Sequence, residues 1–236
     1  MRKKLISHLL LLTILLILAG KLLLSGTSEN TLFVTYGLTV TIGILFVFFV
    51  AFNFYKDPYL KALDTGLNKG GKSLITCIVA VRNEELLIER CILSLVHQTY
   101  KNKEIIVVND GSTDRTAFVL EHLARNYGIE VITMPTNVGK KKAIAQAILQ
   151  SRGSILAFSD SDSVLAPDAL EKIELIFAND PNVGAVSGHC RALNAEKNLL
   201  TKIQDTWYEG QFSIRKAFES VFGAVTCVSG PLAVFR

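Results

Sequence analysis

The sequence lacks the features that mark several common classes of protein. Its four cysteines are far apart, form no C-x-x-C pair and have no histidine spaced to complete a zinc site. Residues 74–81 are the first predicted strand, and no G-x-G-x-x-G motif follows them. The absence of this motif excludes a dinucleotide-dependent dehydrogenase. The formal net charge is only +4, so we expect no nucleic-acid partner.

Long hydrophobic runs, by contrast, are present near the start of the chain. Residues 5–24 and 31–54 are almost entirely apolar, and each run is long enough to cross a bilayer as a helix. Residues 25–30 join them, so we predict a transmembrane helical hairpin over residues 1–54. The alternative is a cleaved signal peptide over residues 1–26, but no A-x-A-like site follows it and a second apolar run comes directly after.

Basic residues flank both predicted spans. Those before the first span are Arg2, Lys3 and Lys4, and those after the second are Lys56, Lys61, Lys69 and Lys72. Because cytoplasmic flanks carry the excess of lysine and arginine, we predict a multi-pass protein of the cell membrane with its remaining chain in the cytosol. There, reduced and mostly buried thiols are expected. Residues 55–72 are polar and glycine-containing, which indicates an interfacial linker before a globular domain over residues 73–236.

Within that domain, short apolar runs alternate with segments of helical periodicity. Strands are predicted at residues 74–81, 105–108, 131–132 and 155–158, and helices at residues 87–95, 117–124, 140–150 and 167–177. This alternation predicts an α/β fold with right-handed βαβ units and a mainly parallel sheet. Ligands of such sheets bind at the carboxyl ends of the strands. That rule singles out residues 82–84, 109–112 and 160–162.

Two carboxylates follow the fourth predicted strand. Asp160 and Asp162 are separated by one residue, so both can bind one hard divalent cation, Mn²⁺ or Mg²⁺, that also binds diphosphate oxygens. A D-x-D pair alone is also typical of an acidic, solvated turn. Its position after an apolar strand favours the metal site.

Two further segments at the same edge of the sheet each have a ligand-binding and a structural interpretation. Asp110 could accept a hydrogen bond from a pyrimidine N3–H or cap the next helix, and Asp114 suits a helix N-terminus. Gly139 precedes three lysines at residues 140–142. Cations and backbone N–H groups at a helix start suit a diphosphate, although a lysine triplet is also typical of a solvated face.

Taken together, these segments resemble a known family. CIVAVRNEE, VVNDGSTD, NVGKKKA and FSDSDS are similar, in this order and spacing, to the nucleotide-binding half of family 2 glycosyltransferases with the GT-A fold. YEGQFSIRKAFES and CVSGPLAVFR resemble acceptor-side segments of processive polysaccharide synthases, nearest to the hyaluronan and chitin synthases. The resemblance covers about residues 74–236, and the joint pattern is more specific than any single motif.

The resemblance implies a role for several residues. Donor-binding residues would be Glu84 and Asp110 at the nucleoside, Lys140 at the diphosphate, Asp160 and Asp162 at UDP and the metal ion, and Arg191 near the donor sugar. Ser229, Gly230 and Pro231 would lie on the acceptor side. His189, Cys190 and Glu219 depart from the residues common in hyaluronan synthases, and we expect His189 to be a hydrogen-bonded structural residue.

The implied activity is inverting transfer of N-acetylglucosamine, alone or with glucuronate, from a UDP-sugar to a growing polysaccharide. The family's catalytic base and Q-x-x-R-W segment would follow Arg236, so we expect the domain to be incomplete, this chain to be inactive by itself, and a helper subunit or a C-terminal membrane region to complete it. Two alternatives remain: a non-processive transferase acting on a lipid-linked acceptor, and a non-catalytic UDP-binding membrane scaffold.

Overall fold

The computed structural model describes residues 12–17, 19–20, 31–64, 73–228 and 230–236. Most of the first predicted span, residues 65–72 of the predicted linker, and Ser229 lie outside the described residues. The described helices, apart from the helical residues 12–17 and 19–20, are α1 (Thr31–Phe54), α2 (Pro58–Asp64), α3 (Ile88–Val96), α4 (Thr116–Tyr127), α5 (Lys140–Gln150), α6 (Ala169–Asn179), α7 (Leu199–Gly210) and α8 (Ala217–Val221), with a π-helix at Gln211–Lys216 and a 3₁₀ turn at Gly230–Leu232. The strands are β1 (Ile75–Val81), β2 (Lys103–Asn109), β3 (Glu130–Thr133), β4 (Ile155–Asp160), β5 (Ala185–Ser187) and β6 (Ala233–Phe235).

The described residues divide into two compact units. The first takes in the described part of residues 1–56 together with residues 189–226. In it, α1 begins and ends at the residues predicted for the second span. Among the described residues, one helical stretch, Thr35–Asp64, is long and apolar enough to cross a membrane. The predicted hairpin therefore has one matching helix, and the first span stays a prediction.

The second unit, residues 57–188 and 227–236, contains a six-stranded sheet. Its strand order is β3-β2-β1-β4-β6-β5; the first four strands are parallel to their neighbours, and β6 is antiparallel to both β4 and β5. The predicted mainly parallel α/β sheet is confirmed. In the register, Val81 pairs with Asn109 and Ala80 with Asp160. The carboxyl ends of β1, β2 and β4 therefore meet at one edge.

The core forms because β1 and residues 105–108 of β2 are mostly apolar and β-branched, which suits strands covered on both faces. Helix α3 buries Ile88, Cys91, Ile92 and Leu95 against this sheet. Two predicted details are corrected. Leu87 is exposed and Ile88 takes its place in the core, and α6 begins at Ala169 because the carbonyl of Pro167 accepts a hydrogen bond from the Thr99 N–H at 2.8 Å.

Candidate active site

The loops after β1 and β2 are hydrogen-bonded to each other, and Asn83 is the residue that joins them. Its side-chain oxygen accepts a hydrogen bond from the Thr113 N–H at 2.8 Å, and its own N–H donates to the Ser112 hydroxyl at 3.1 Å. Asn83 has a positive φ of 54°, a conformation that asparagine tolerates better than most residues. The turn that carries Glu84 is therefore fixed by a side chain that the sequence analysis did not single out.

Glu84 lies in this fixed turn. Its N–H donates to the Thr116 hydroxyl at 2.9 Å, and the next residue, Glu85, donates its N–H to the Asp114 carboxylate at 3.3 Å. Asp114 also accepts from the Thr116 N–H at 2.9 Å, which is the structural role expected for it at the start of α4. Partial desolvation would raise the pKa of Asp114, but hydrogen bonds from Thr116 and Glu85 outweigh this effect and lower the pKa.

Asp110 is buried at the end of β2 and holds the loop that precedes α5. Its two carboxylate oxygens accept hydrogen bonds from the N–H groups of Val138, at 2.7 Å, and Gly139, at 3.0 Å. The carboxylate therefore does not cap α4, the helix that follows Asp110, which was one of the two roles predicted for it. Instead it anchors the start of the lysine-bearing helix, and its contact with uracil stays a prediction.

The close approach of these loops requires glycine at position 111. Gly111 has a φ of +63°, and a Cβ atom there would lie 2.6 Å from the Asn137 nitrogen. A side chain would be strained in this conformation and would displace the 136–137 backbone. Gly111 thus allows Asp110 to reach the N–H groups of residues 138 and 139.

Lys140, the first residue of α5, forms an ion pair with Asp160 at the end of β4. The lysine side chain is 57% exposed and the aspartate side chain 28% exposed, so both remain open to a ligand. Asp160 also lies against Gly230, where a Cβ atom would be 3.0 Å from the Asp160 Oδ2 atom. The Ser159 hydroxyl donates to the Pro231 carbonyl at 3.2 Å. Residues predicted for the donor side and for the acceptor side are therefore adjacent.

Asp162 is exposed, and its carboxylate accepts a long hydrogen bond of 3.4 Å from the Ser163 hydroxyl. In the described part of the chain, no cluster of three or more histidine, cysteine or acidic side chains could hold a metal ion alone. The two carboxylates of Asp160 and Asp162 nevertheless fit a hard divalent cation whose other ligands come from a diphosphate and water, because Mg²⁺-type sites use one or two carboxylates in this way.

Behind this pair, the side chains of Gln98, two residues after the end of α3, and of Cys91 within α3 hold β4 and the loop that follows it. Gln98 is fully buried; its amide donates to the carbonyl of Ala166 at 2.8 Å and its oxygen accepts from the Leu170 N–H at 3.1 Å. The Cys91 thiol donates to the Asp160 carbonyl at 3.3 Å, and burial raises the pKa of Cys91 to about 12. Sequence reasoning missed Gln98, although a glutamine close behind an apolar helix face was a signal.

A comparison of the sequence with known protein families identifies the family of this chain. Residues 76–236 match the family described as Glycosyl transferase family 2. The chain belongs to this family. An N-acetylglucosaminyltransferase from Rhizobium leguminosarum bv. viciae is 38% identical over 166 residues, which cover 69% of this chain and 39% of that protein. A hyaluronan synthase from Streptococcus pyogenes is 32% identical over 206 residues, which cover 84% and 49%.

A solved structure supports the same assignment for this family 2 glycosyltransferase. A mannosyltransferase from Pyrobaculum calidifontis, in complex with GDP-Man and Mn²⁺, superposes with a TM-score of 0.59 at 25% identity and covers 75% of this chain and 50% of its own. The predicted family and the GT-A-like fold are therefore confirmed. The chain spans about half, or less, of the length of each of these three proteins.

The remaining predicted donor residue of the glycosyltransferase, Arg191, belongs to the first unit. Its Nε atom donates to the Asp205 carboxylate at 2.9 and 3.1 Å, and the Ala192 N–H donates to the same carboxylate at 2.9 Å. The Arg191 side chain, followed by the Ala192 N–H, lowers the pKa of Asp205 to about 2. Sequence reasoning did not find Asp205 as the partner of Arg191, whose contact with a donor sugar stays a prediction.

His189 has the hydrogen-bonded, structural surroundings expected for it. Its Nε2 atom lies 3.2 Å from the Glu209 carboxylate, and its ring stacks on Phe212 with centroids 5.5 Å apart. Glu219, which departs from the residue common in hyaluronan synthases, accepts hydrogen bonds from the Thr226 N–H at 3.1 Å and the Arg215 Nε at 3.0 Å. Both departures are therefore accommodated by local polar contacts.

Proposed function

We propose that this chain is the donor-binding part of a membrane-bound, inverting glycosyltransferase that transfers N-acetylglucosamine, alone or alternating with glucuronate, from a UDP-sugar to a growing polysaccharide. The observation that carries the proposal is the continuous set of contacts from Asp110 through Gly139 and Lys140 to Asp160 and Gly230. These contacts join the segments that would hold nucleoside, diphosphate and acceptor. The two relatives, an N-acetylglucosaminyltransferase and a hyaluronan synthase, support the choice of sugar.

In the proposed complex, Glu84 and Asp110 hold the uridine at the ends of β1 and β2. Lys140 neutralises the diphosphate, because a lysine that reaches Asp160 also reaches a phosphate bound beside it. Asp160 and Asp162 supply oxygen ligands to Mn²⁺ or Mg²⁺, and such an ion, when bound, neutralises the charge that develops on departing UDP. Lys140 thus exchanges a carboxylate for a phosphate when the donor binds.

The acceptor side of the proposal uses Ser229, Gly230 and Pro231. Gly230 is suited to this position because its missing side chain leaves the Asp160 carboxylate uncovered. Arg191 is assigned to the donor sugar; its side chain is 62% exposed although its guanidinium is bonded to Asp205. Both assignments follow from the resemblance of these segments to polysaccharide synthases.

The proposal includes a location in the cell membrane. Helix α1 and the apolar residues 5–24 would form the two spans, with the sheet domain in the cytosol where nucleotide-sugars are available. The length and composition of Thr35–Asp64 support the second span. Partners would be the UDP-sugar, the polysaccharide acceptor, the bilayer, and a helper subunit or further membrane region that completes the route for the polymer.

The decisive experiment measures UDP binding to the full chain in lipid nanodiscs, with Mn²⁺ and with EDTA. We expect Mn²⁺ to strengthen binding of UDP, and Asp162→Ala to abolish this effect with a loss of about tenfold or more in affinity. Thermal stability should change little, since the exposed Asp162 side chain has only a weak bond to Ser163. Asp168→Ala, at a half-exposed carboxylate paired with Lys172, is the matched control and should leave binding unchanged.

A second comparison separates the metal ligand from a structural carboxylate. Asp114→Ala should lower the melting temperature, because Asp114 bonds the N–H groups of Glu85 and Thr116, while the ratio of affinities with and without Mn²⁺ is retained. UDP binding that ignores Mn²⁺ in the unaltered chain would overturn the proposal. Equal losses of metal dependence in Asp162→Ala and Asp114→Ala would overturn the assignment of Asp162.

A further inference from the structure

The turn that carries Asp162 is short, and its first residue is fixed. Asp160 is the last residue of the interior strand β4, and its carbonyl accepts a hydrogen bond from the Ser163 N–H at 3.2 Å. Asp162 is therefore the third residue of a four-residue turn. The Cys91 thiol of α3 donates to the same Asp160 carbonyl at 3.3 Å. This end of the turn is thus held by both the sheet and α3.

The loop that follows the turn is bonded to the end of α3. The Leu165 N–H donates to the Ser94 hydroxyl at 3.1 Å, and the Leu165 side chain is buried in the main core. One residue further along the loop, the Ala166 carbonyl accepts a hydrogen bond from the Gln98 amide at 2.8 Å. We call Ser94 and Gln98 the α3 clamp, because their side chains hold the loop between Asp162 and α6.

Gln98 is fully buried and is bonded through both its oxygen and its nitrogen. Its amide nitrogen donates to the Ser94 carbonyl at 3.0 Å as well as to Ala166, and its side-chain oxygen accepts from the Leu170 N–H at 3.1 Å. A buried amide bonded in this way has one orientation, since rotating it would leave buried polar groups unpaired. The loop that is bonded to Gln98 is therefore fixed in position as well.

Asp162 lies between these two points of attachment. Two residues, Ser163 and Val164, separate it from Leu165, the first residue held by the clamp. The Asp162 side chain is exposed, and its hydrogen bond with the Ser163 hydroxyl is long. The course of the backbone, more than packing of the side chain, therefore determines where the Asp162 carboxylate can reach.

We infer that Ser94 and Gln98 are positioning residues for the metal ligand Asp162, an inference that rests on the proposed function. A metal site needs its ligands held within about 0.5 Å of the productive geometry, and groups behind the ligands provide that precision. Neither residue is assigned to the nucleotide or to the ion. Loss of the clamp should therefore weaken the metal-dependent part of UDP binding and leave the metal-independent part unchanged.

The test measures the UDP affinity of the full chain in lipid nanodiscs with Mn²⁺ and with EDTA, and takes the ratio of the two affinities. Ser94→Ala removes the acceptor of the Leu165 N–H. Gln98→Met removes the bonds to Ala166 and Leu170 and keeps a side chain of similar length. We expect each substitution to lower the ratio by about threefold or more, with the affinity in EDTA unchanged. Ser94→Thr keeps the hydroxyl and should keep the ratio.

Thr76→Val is the matched control, because Thr76 is also a fully buried polar residue but lies where the strands begin. Its hydroxyl donates to the Glu104 carboxylate and accepts from the Gly153 N–H at 2.9 Å. The control should lower the melting temperature, as the clamp variants do, since it also loses buried hydrogen bonds. It should leave the ratio of UDP affinities unchanged.

Three results would count against these assignments. An unchanged ratio in Ser94→Ala would overturn the inference and leave the proposed function intact. A ratio lowered equally in Thr76→Val would also overturn the inference, because the loss would then follow from lower stability and not from the position of Asp162. Absence of any Mn²⁺ dependence in the unaltered chain would overturn the proposed metal site, and the inference with it. If Gln98→Met does not fold, Ser94→Ala decides the test.

Discussion

Asn83 combines two requirements that few residues meet together. Its backbone is left-handed, with φ 54°, and it is the one non-glycine residue with positive φ in the described part of the chain. Its side-chain oxygen also accepts the Thr113 N–H. Strained backbone is retained in proteins where neighbouring contacts determine it, often at functional sites. Here the hydrogen bonds of Asn83 hold its left-handed backbone and so fix the turn that carries Glu84.

Substitutions at Asn83 should separate these two requirements. Asn83→Ala incurs the left-handed conformation and loses the hydrogen bond, so we expect it to lower the free energy of unfolding by about 1–3 kcal/mol. Asn83→Gly removes the strain and loses only the bond, and Asn83→Asp keeps an acceptor and a tolerant backbone. Denaturant unfolding should therefore rank stability as Asp above Gly above Ala. An alanine variant as stable as the glycine variant would show that the strain does not matter.

Among the elements, long segments with a clear pattern were predicted well. Strands β1 and β2 contain runs of mostly β-branched residues, β4 begins with a short apolar run, and α5 begins and ends at the predicted residues 140 and 150. The predicted donor loops meet because parallel strands end at one edge. Strands β5 and β6 were not predicted. Each has three residues, and both exist because β6 pairs with the edge of β4, which no local pattern records.

Long-range polar contacts were also beyond sequence reasoning. The side chain of Gln98 bonds to residues 166 and 170, and Asp205 bonds to Arg191. A polar residue in a helix or just after one signals a possible contact but does not identify its partner, because the partner depends on how the elements pack. The acidic and basic residues at strand ends were easier to find, since topology alone brings them together.

The ion pair between Arg191 and Asp205 predicts how the first unit responds to acid. The pKa of Asp205 is lowered to about 2 from its ordinary value of 3.8. A lowered pKa in the folded state stabilises the fold above the unfolded pKa, and this contribution is lost as pH falls from about 4 to about 2. Asp205→Asn should be less stable than the unaltered chain at pH 6. The difference in melting temperature between the two should shrink as the pH approaches 2.

Other carboxylates also titrate in this range, so the comparison needs a control at another acidic residue. Glu196→Gln is suitable because Glu196 is exposed and forms a surface pair with Lys202, which contributes little to stability. Its melting temperature should follow that of the unaltered chain at every pH. A constant difference between Asp205→Asn and the unaltered chain from pH 6 to pH 2 would contradict the role assigned to the Arg191–Asp205 pair.

For the whole molecule, the order of the chain differs from the order in space. Residues 227–236 rejoin the sheet unit after the chain has passed through residues 189–226, and β6 then pairs with β4. This return brings Gly230 to Asp160. Asp160, a predicted donor ligand, and Gly230, a predicted acceptor residue, are separated by most of the second half of the domain and yet lie side by side.

The cysteines allow the proposed orientation in the membrane to be tested. Burial raises the pKa values of Cys77 and Cys91 to about 12, so both thiols should resist maleimide in the folded chain at pH 7. Cys227 is exposed. If the sheet unit faces the cytosol, an impermeant maleimide should leave Cys227 unmodified in intact cells and modify it after the membrane is opened, as measured by mass spectrometry of the peptides.

A cysteine on the other side of the membrane supplies the control. Ser28→Cys lies in the segment predicted to join the two spans, and it should react with the impermeant reagent in intact cells, where Cys227 does not. Cys227→Ser should remove the signal that appears on opening the membrane. Modification of Cys227 from outside intact cells would show that the orientation is the opposite of the one proposed. The proposed donor site would then lie on the other side of the membrane from the cytosolic nucleotide-sugars on which the proposed transferase activity depends.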